Sequence, residues 1–213
     1  VSNSTVVKIC GIRTAEDARA AADAGALMVG LVFVPGSPRA ITHDEAKSIL
    51  RALPSDVEPV ALLADPDDAD PLFAWWRGRV QLHGNESEET CESIAARGFA
   101  VMKGFAYAPD ALRRWNACSA VDTLVVDGLR GGSGVPFDHA ALASHMPGLT
   151  TRVLLAGGLT PETVGAAMNV VHPWGVDVSS GVERERGIKN AQLIAQFCRA
   201  AGVTPRRVPP IES

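Results

Sequence analysis

Eight short β-rich runs alternate with eight amphipathic stretches along this chain, and that alternation restricts its fold more than any other feature. The strand-like runs are Val6 to Cys10, Leu27 to Phe33, Val57 to Leu63, Val80 to His83, Phe99 to Lys103, Thr123 to Asp127, Val153 to Ala156 and Gly175 to Ser179. Helical patterns follow each of them: Ala15 to Ala24, His43 to Leu53, Pro66 to Trp76, Ser87 to Arg97, Pro109 to Cys118, Asp138 to His145, Pro161 to Val171 and Ala191 to Ala201. Thr14 with Asp17 three residues on is an N-cap signal, Thr160-Pro161 is another, and Gly25 and Gly98 stand where left-handed helix ends belong. Strand–helix repetition implies a parallel sheet with helical crossovers. An open doubly wound sheet usually has fewer strands, so the economical fold is α/β, a single-domain (β/α)8 TIM barrel over residues 1–203. The proline-rich end, residues 204–213, is predicted to be a flexible tail.

Composition narrows the partners. A net charge of −4 speaks against a nucleic-acid binder, which normally shows a basic face. No apolar run approaches membrane-spanning length, so no membrane partner is expected. Cys10, Cys91, Cys118 and Cys198 are far apart, without a Cys-x-x-Cys or a histidine at ligand spacing. That pattern predicts a reduced, cytoplasmic protein with no zinc site or disulfide framework. No metal is called for, and monomer or homodimer are both open.

In a (β/α)8 barrel the site forms at the C-terminal ends of the strands, and the unusual residues collect there. The first strand ends at Cys10, with Lys8 on the same face one pleat below. Taken alone, Cys10 reads as a small buried hydrophobe. The sixth strand ends at Asp127, which alone reads as a loop carboxylate or helix cap. Together across a barrel mouth, a thiol and a carboxyl can act as general base and general acid. The thiol must be tuned down for that role, and Lys8 is the expected source of positive potential. Asp177 on the eighth strand is expected to pair with Lys8 when the barrel closes. Gly157-Gly158 after strand seven and Ser179-Ser180-Gly181 after strand eight form adjacent turns suited to a phosphate, with a short extra helix near Gly181. The other reading is that glycines merely permit tight turns. Arg39, in the loop Val34-Pro35-Gly36-Ser37-Pro38-Arg39, is either a solvated cation or a bidentate clamp for a carboxylate.

An ordered series of motifs resembles the phosphoribosylanthranilate isomerase family. They are Lys8-Ile9-Cys10-Gly11-Ile12, Gly30 to Phe33, Ser37-Pro38-Arg39-Ala40-Ile41, Val80-Gln81-Leu82-His83-Gly84, Gly131-Gly132-Ser133-Gly134 with Phe137-Asp138, Ala156-Gly157-Gly158-Leu159, and Val176 to Glu183. The resemblance implies an Amadori rearrangement of N-(5'-phosphoribosyl)anthranilate without cofactor or metal. It implies Asp127 as the acid, Cys10 as the base, and Arg39 as holder of the anthranilate carboxylate. Backbone at Gly157, Gly158, Ser180 and Gly181 would hold the phosphate, with Lys8, Gln81, His83, Asp177 and Ser179 also on the substrate side. Departures from the family pattern include Ala40 for an aromatic, Ala61-Leu62-Leu63-Ala64-Asp65 as the third-strand motif, Asn85 for an acid, Val135-Pro136 with His139, and Asn190. They leave a related aminoaryl or amino ribotide open as substrate, as well as a phosphate-binding barrel without catalysis. A histidine-pathway type of aldose–ketose isomerase is disfavoured, since that family generally has an aspartate where Cys10 stands.

Overall fold

The computed structural model describes residues 5–128 and 138–206. Eight parallel strands close in chain order: β1 Val6–Cys10, β2 Met28–Val32, β3 Glu58–Leu63, β4 Arg79–Leu82, β5 Val101–Ala106, β6 Val121–Asp127, β7 Arg152–Leu155 and β8 Gly175–Val178, which pairs back onto β1. Among the described residues seven α-helices accompany them: α1 Ala15–Asp23, α2 His43–Ala52, α3 Glu88–Ala96, α4 Pro109–Ala117, α5 His139–His145, α6 Val164–Val171 and α7 Ala191–Ala200. The barrel is the expected one.

Strand alternation divides the apolar residues into two cores. Val6, Met28, Val60, Met102, Val125, Leu154 and Ala156 fill the barrel interior. A larger core, including Val7, Ile9, Leu31, Leu124 and Phe197, lies between strands and helices. Val6 on the inner face places Lys8 and Cys10 inside, and Val125 does the same for Asp127.

Thr14 caps α1 through Asp17 N–H at 3.0 Å, and Gly25 and Gly98 adopt φ of 95° and 92°. Three expectations are corrected. No α-helix spans Pro66 to Trp76; a single 3-10 turn, Pro71–Ala74, stands there. Asp67 and Asp70 accept from Ala69 N–H and Leu72 N–H, both at 2.8 Å, so side-chain turns replace helical bonding. The sixth helix starts at Val164 rather than Pro161, because Thr163 Oγ1 accepts from Thr160 N–H at 2.9 Å and closes a turn first. The fifth strand runs from Val101 to Ala106 rather than from Phe99 to Lys103. After β8 comes a 3-10 turn, Ser180–Val182, where the extra helix was expected, and then an antiparallel pair that the periodicity does not reveal: β9 Glu183–Glu185 with β10 Ile188–Lys189.

Of the predicted tail, residues 204–206 lie against the barrel, with Arg206 N–H on Asp23 O at 2.9 Å and its guanidinium on Asp56 at 2.6 Å. Residues 207–213 and the run Gly131 to Phe137 lie outside the described residues. No described helix is long and apolar enough to cross a membrane.

Candidate active site

A cavity of about 520 Å³ opens at the C-terminal ends of the strands. Cys10, Arg39, Gln81, His83, Asp127, Gly157, Gly158, Asp177, Ser179 and Ser180 all line it. Lys8 and Gly181 do not. Lys8 is fully buried below the floor, and Gly181 is pressed against the carbonyl of Leu159, where any Cβ would collide. Gly181 thus packs the turn after β8 against the turn after β7.

Three glycines make room for site side chains, a signal that no motif reading supplied. Gly30, the β2 residue paired with Cys10, would place a Cβ 2.8 Å from Sγ. Gly104 on β5 clears the His83 ring, and Gly157 clears Asp127. Each absence of a side chain, on a strand or in the turn after it, makes room for a polar group from the neighbouring strand end.

Cys10 and Asp127 share this cavity from β1 and β6, with β8 and β7 between them. Burial pushes the Asp127 carboxyl up to about 6, Asp177 adds repulsion, and Gly128 N–H offsets little. An acid so placed can still carry a proton near neutral pH. The thiol departs from expectation. Burial raises the Cys10 pKa, and the opposing pull of Lys8 and Lys189 does not overcome it. Asp177 cancels part of the field of Lys8, which it holds at 2.9 Å. Burial works against the Lys8 charge, but Asp177 and Cys10 together raise its pKa, so the ammonium stays protonated.

His83 is lowered by burial and by nearby Lys8 and Lys103, and so stays neutral. Its Nδ1 lies 3.2 Å from Gln81 Nε2. Opposite, Gly157 and Gly158 take successive φ of 88° and 64°, and nothing fills the space beside Gly158. Ser179 Oγ donates to Cys10 O at 3.1 Å, tying the eighth-strand turn to the thiol-bearing strand.

Arg39 is not a free cation. Its Nε and Nη2 donate to Glu183 at 2.7 and 2.9 Å. Burial opposes ionisation of Glu183, but Arg39, Lys189 and Gly187 N–H hold its carboxyl down at about 2. Glu183 and Lys189 carried no role in the sequence reading. Glu183 closes the Val176 to Glu183 motif, which was its only signal.

The family model for N-(5'-phosphoribosyl)anthranilate isomerase matches residues 7–200. The protein of that name from Thiobacillus denitrificans is 40% identical over 204 residues, covering 92% of this chain and 97% of its own. Its counterpart from Rhodopseudomonas palustris is 41% identical over 210 residues, covering 92% and 95%. The crystal structure of phosphoribosyl anthranilate isomerase from Thermotoga maritima is similar with a TM-score of 0.85 at 35% identity, over 93% of this chain and 98% of that one. A structure of such an enzyme in complex with reduced 1-(o-carboxyphenylamino)-1-deoxyribulose 5-phosphate matches with a TM-score of 0.82 at 33% identity, over the same shares.

Proposed function

The chain belongs to the N-(5'-phosphoribosyl)anthranilate isomerase family, and from that premise we propose that Asp127 and Cys10 move the protons of its reaction. The chain converts N-(5'-phosphoribosyl)anthranilate to 1-(2-carboxyphenylamino)-1-deoxyribulose 5-phosphate, an aldose–ketose isomerisation. Protonated Asp127 gives its proton to the ribose ring oxygen, and the C1'–O bond breaks as the amine lone pair forms the Schiff base. Cys10, as thiolate, takes the C2' proton and leaves an enolamine. C1' then gains a proton while the 2'-hydroxyl loses one, so the ketone forms with no net change in protons.

The observation that carries this reading is one cavity lined by a carboxyl raised to about 6 and by a buried thiol. A raised thiol pKa makes thiolate scarce before the substrate binds, but it makes the thiolate a stronger base once formed. Lys8 supports that anion from below, since its ammonium neighbours the sulfur. The phosphate belongs with Gly157, Gly158 and Ser180, where glycine backbone and the turn after β8 are open to an anion. Arg39 belongs with the anthranilate carboxylate. Asp177, Ser179, Gln81 and His83 would orient the sugar between them.

The direct test follows loss of anthranilate-ribotide fluorescence with purified protein, repeated on Cys10→Ser and Asp127→Asn. Each substitution is expected to lower turnover by about a few hundred-fold or more, the usual worth of a general acid or base. Parent-like rates in either variant would remove that residue from the mechanism.

A further inference from the structure

One heavily bonded carboxylate at the rim belongs to a residue without an assigned part in the chemistry. Glu183 opens β9, and its side chain is only 4% exposed. It accepts four hydrogen bonds: Arg39 Nε at 2.7 Å, Arg39 Nη2 at 2.9 Å, Lys189 Nζ at 2.9 Å and Gly187 N–H at 3.1 Å. Lys189 is buried as well, and it donates to Ser179 O at 2.9 Å and Ser179 Oγ at 3.3 Å. Ser179 Oγ in turn donates to the carbonyl of Cys10. One bonded path therefore joins the arginine of the β2–α2 loop, the turn after β8 and the main chain of the thiol-bearing strand.

The two cations on this carboxylate differ in what they have left. Lys189 has three donors, and all three contacts go to Glu183 and Ser179. Arg39 has five N–H groups in a planar fork. Glu183 occupies the Nε/Nη2 side edge, and the described contacts leave the Nη1/Nη2 end edge unused, on a side chain that lines the cavity. Gly11 makes this approach possible, because a Cβ there would meet Arg39 Cδ. A guanidinium gripped on one edge loses its rotational freedom and presents the other to a second carboxylate.

We propose that Glu183 is a positioning residue for substrate recognition: it grips Arg39 by one edge so that the free edge receives the anthranilate carboxylate, and through Lys189 it keeps that clamp in register with the turn after β8. This rests on the isomerase reading above. Glu183 touches no reacting atom, so its contribution belongs to substrate binding rather than to proton transfer.

The experiment is a double-substitution cycle on the full chain, with Glu183→Gln, Arg39→Ala and their combination assayed against N-(5'-phosphoribosyl)anthranilate. Glu183→Gln is expected to raise KM about tenfold, the cost of one charge-assisted contact, with kcat within about threefold of the parent. The combined variant should show a KM no higher than Arg39→Ala alone, because the glutamate acts through the arginine. Additive KM effects, or a fall in kcat with KM unchanged, would overturn the proposal. Should Glu183→Gln fail to fold, Glu183→Asp keeps the charge beside Lys189 while withdrawing it from Arg39, and the same non-additivity is expected of it. A parent protein without turnover would instead sink the isomerase reading, whereas normal parent turnover with an unmoved KM in the Glu183 variants sinks only this inference.

Discussion

Lys8 and Lys103 are both buried on barrel strands and both paired with a carboxylate, yet they stand on opposite faces of the same wall. Lys8 points inward beside Cys10, and its partner Asp177 lines the open cavity. Lys103 follows the inward Met102 and so points outward. There it reaches Glu86, the carbonyls of Gly84 at 2.9 Å and Leu82 at 3.5 Å, and the face of Trp115 at 5.1 Å. Glu86 completes the outer arrangement by accepting from Asp65 N–H and Gly84 N–H, each at 2.9 Å. The outer pair is closed on main chain and clasps the loops after β3 and β4. The inner pair keeps one side toward the reacting space. Buried charge of the same kind is thus a staple on one face and part of the proposed proton-transfer site on the other, and the pleat decides which face each lysine takes.

The comparison breaks first at its inner extreme. Cys10→Ser and Asp127→Asn should cost about a few hundred-fold in turnover without loosening the fold. If either variant instead melted while a Lys103 variant lost turnover, the two faces would have exchanged roles.

Next in size is the contrast between the lysines themselves. Lys103→Met leaves Glu86 buried and unpaired, so chemical denaturation should show a loss of about 3–5 kcal/mol, with kcat per folded molecule unchanged. Lys8→Met should lower kcat about tenfold, equivalent to one unit in the thiol pKa. Its stability loss should be the smaller of the two, since Asp177 reaches the cavity. Equal stability losses would erase the distinction.

Titration sharpens the point further. The folded pKa of Asp127 is about 6 against an ordinary 3.8, so between those values the folded chain holds a proton that the unfolded chain has lost. Stability therefore falls as pH rises through that window, by at most about 3 kcal/mol. Asp127→Asn lacks this penalty. It should melt at a higher temperature than the parent at about pH 8 and match it below about pH 4. The limb near pH 6 in the parent's kcat/KM profile should vanish in the same variant. Arg39→Ala should mainly raise KM, by at least the roughly tenfold expected of Glu183→Gln; an unchanged KM would show that the carboxylate is held elsewhere.

Much of the site was legible because it depends on strand ends and strand parity. Cys10, Asp127 and the turns at Gly157-Gly158 and Ser179-Ser180 follow from where each β-rich run stops. The Lys8–Asp177 pair follows from parallel register across the closing strands, Lys8 opposite Asp177. The missing third helix was not legible, since Asp67 and Asp70 side chains outcompeted the amphipathic pattern for backbone N–H groups.

By itself, then, the sequence determined the barrel, the inward face of each strand and the rim that carries the thiol and the acid, because periodicity and chain order are local properties. Only the tertiary structure decided that Gly30, Gly104 and Gly157 clear space for Cys10, His83 and Asp127, that Lys8 lies under the cavity instead of lining it, and that Glu183 holds Arg39. It also decided the direction of the thiol's pKa. Contacts across distant segments and the loss of water around a group exist only once the barrel has closed, and no spacing along the chain encodes how much of each a residue receives.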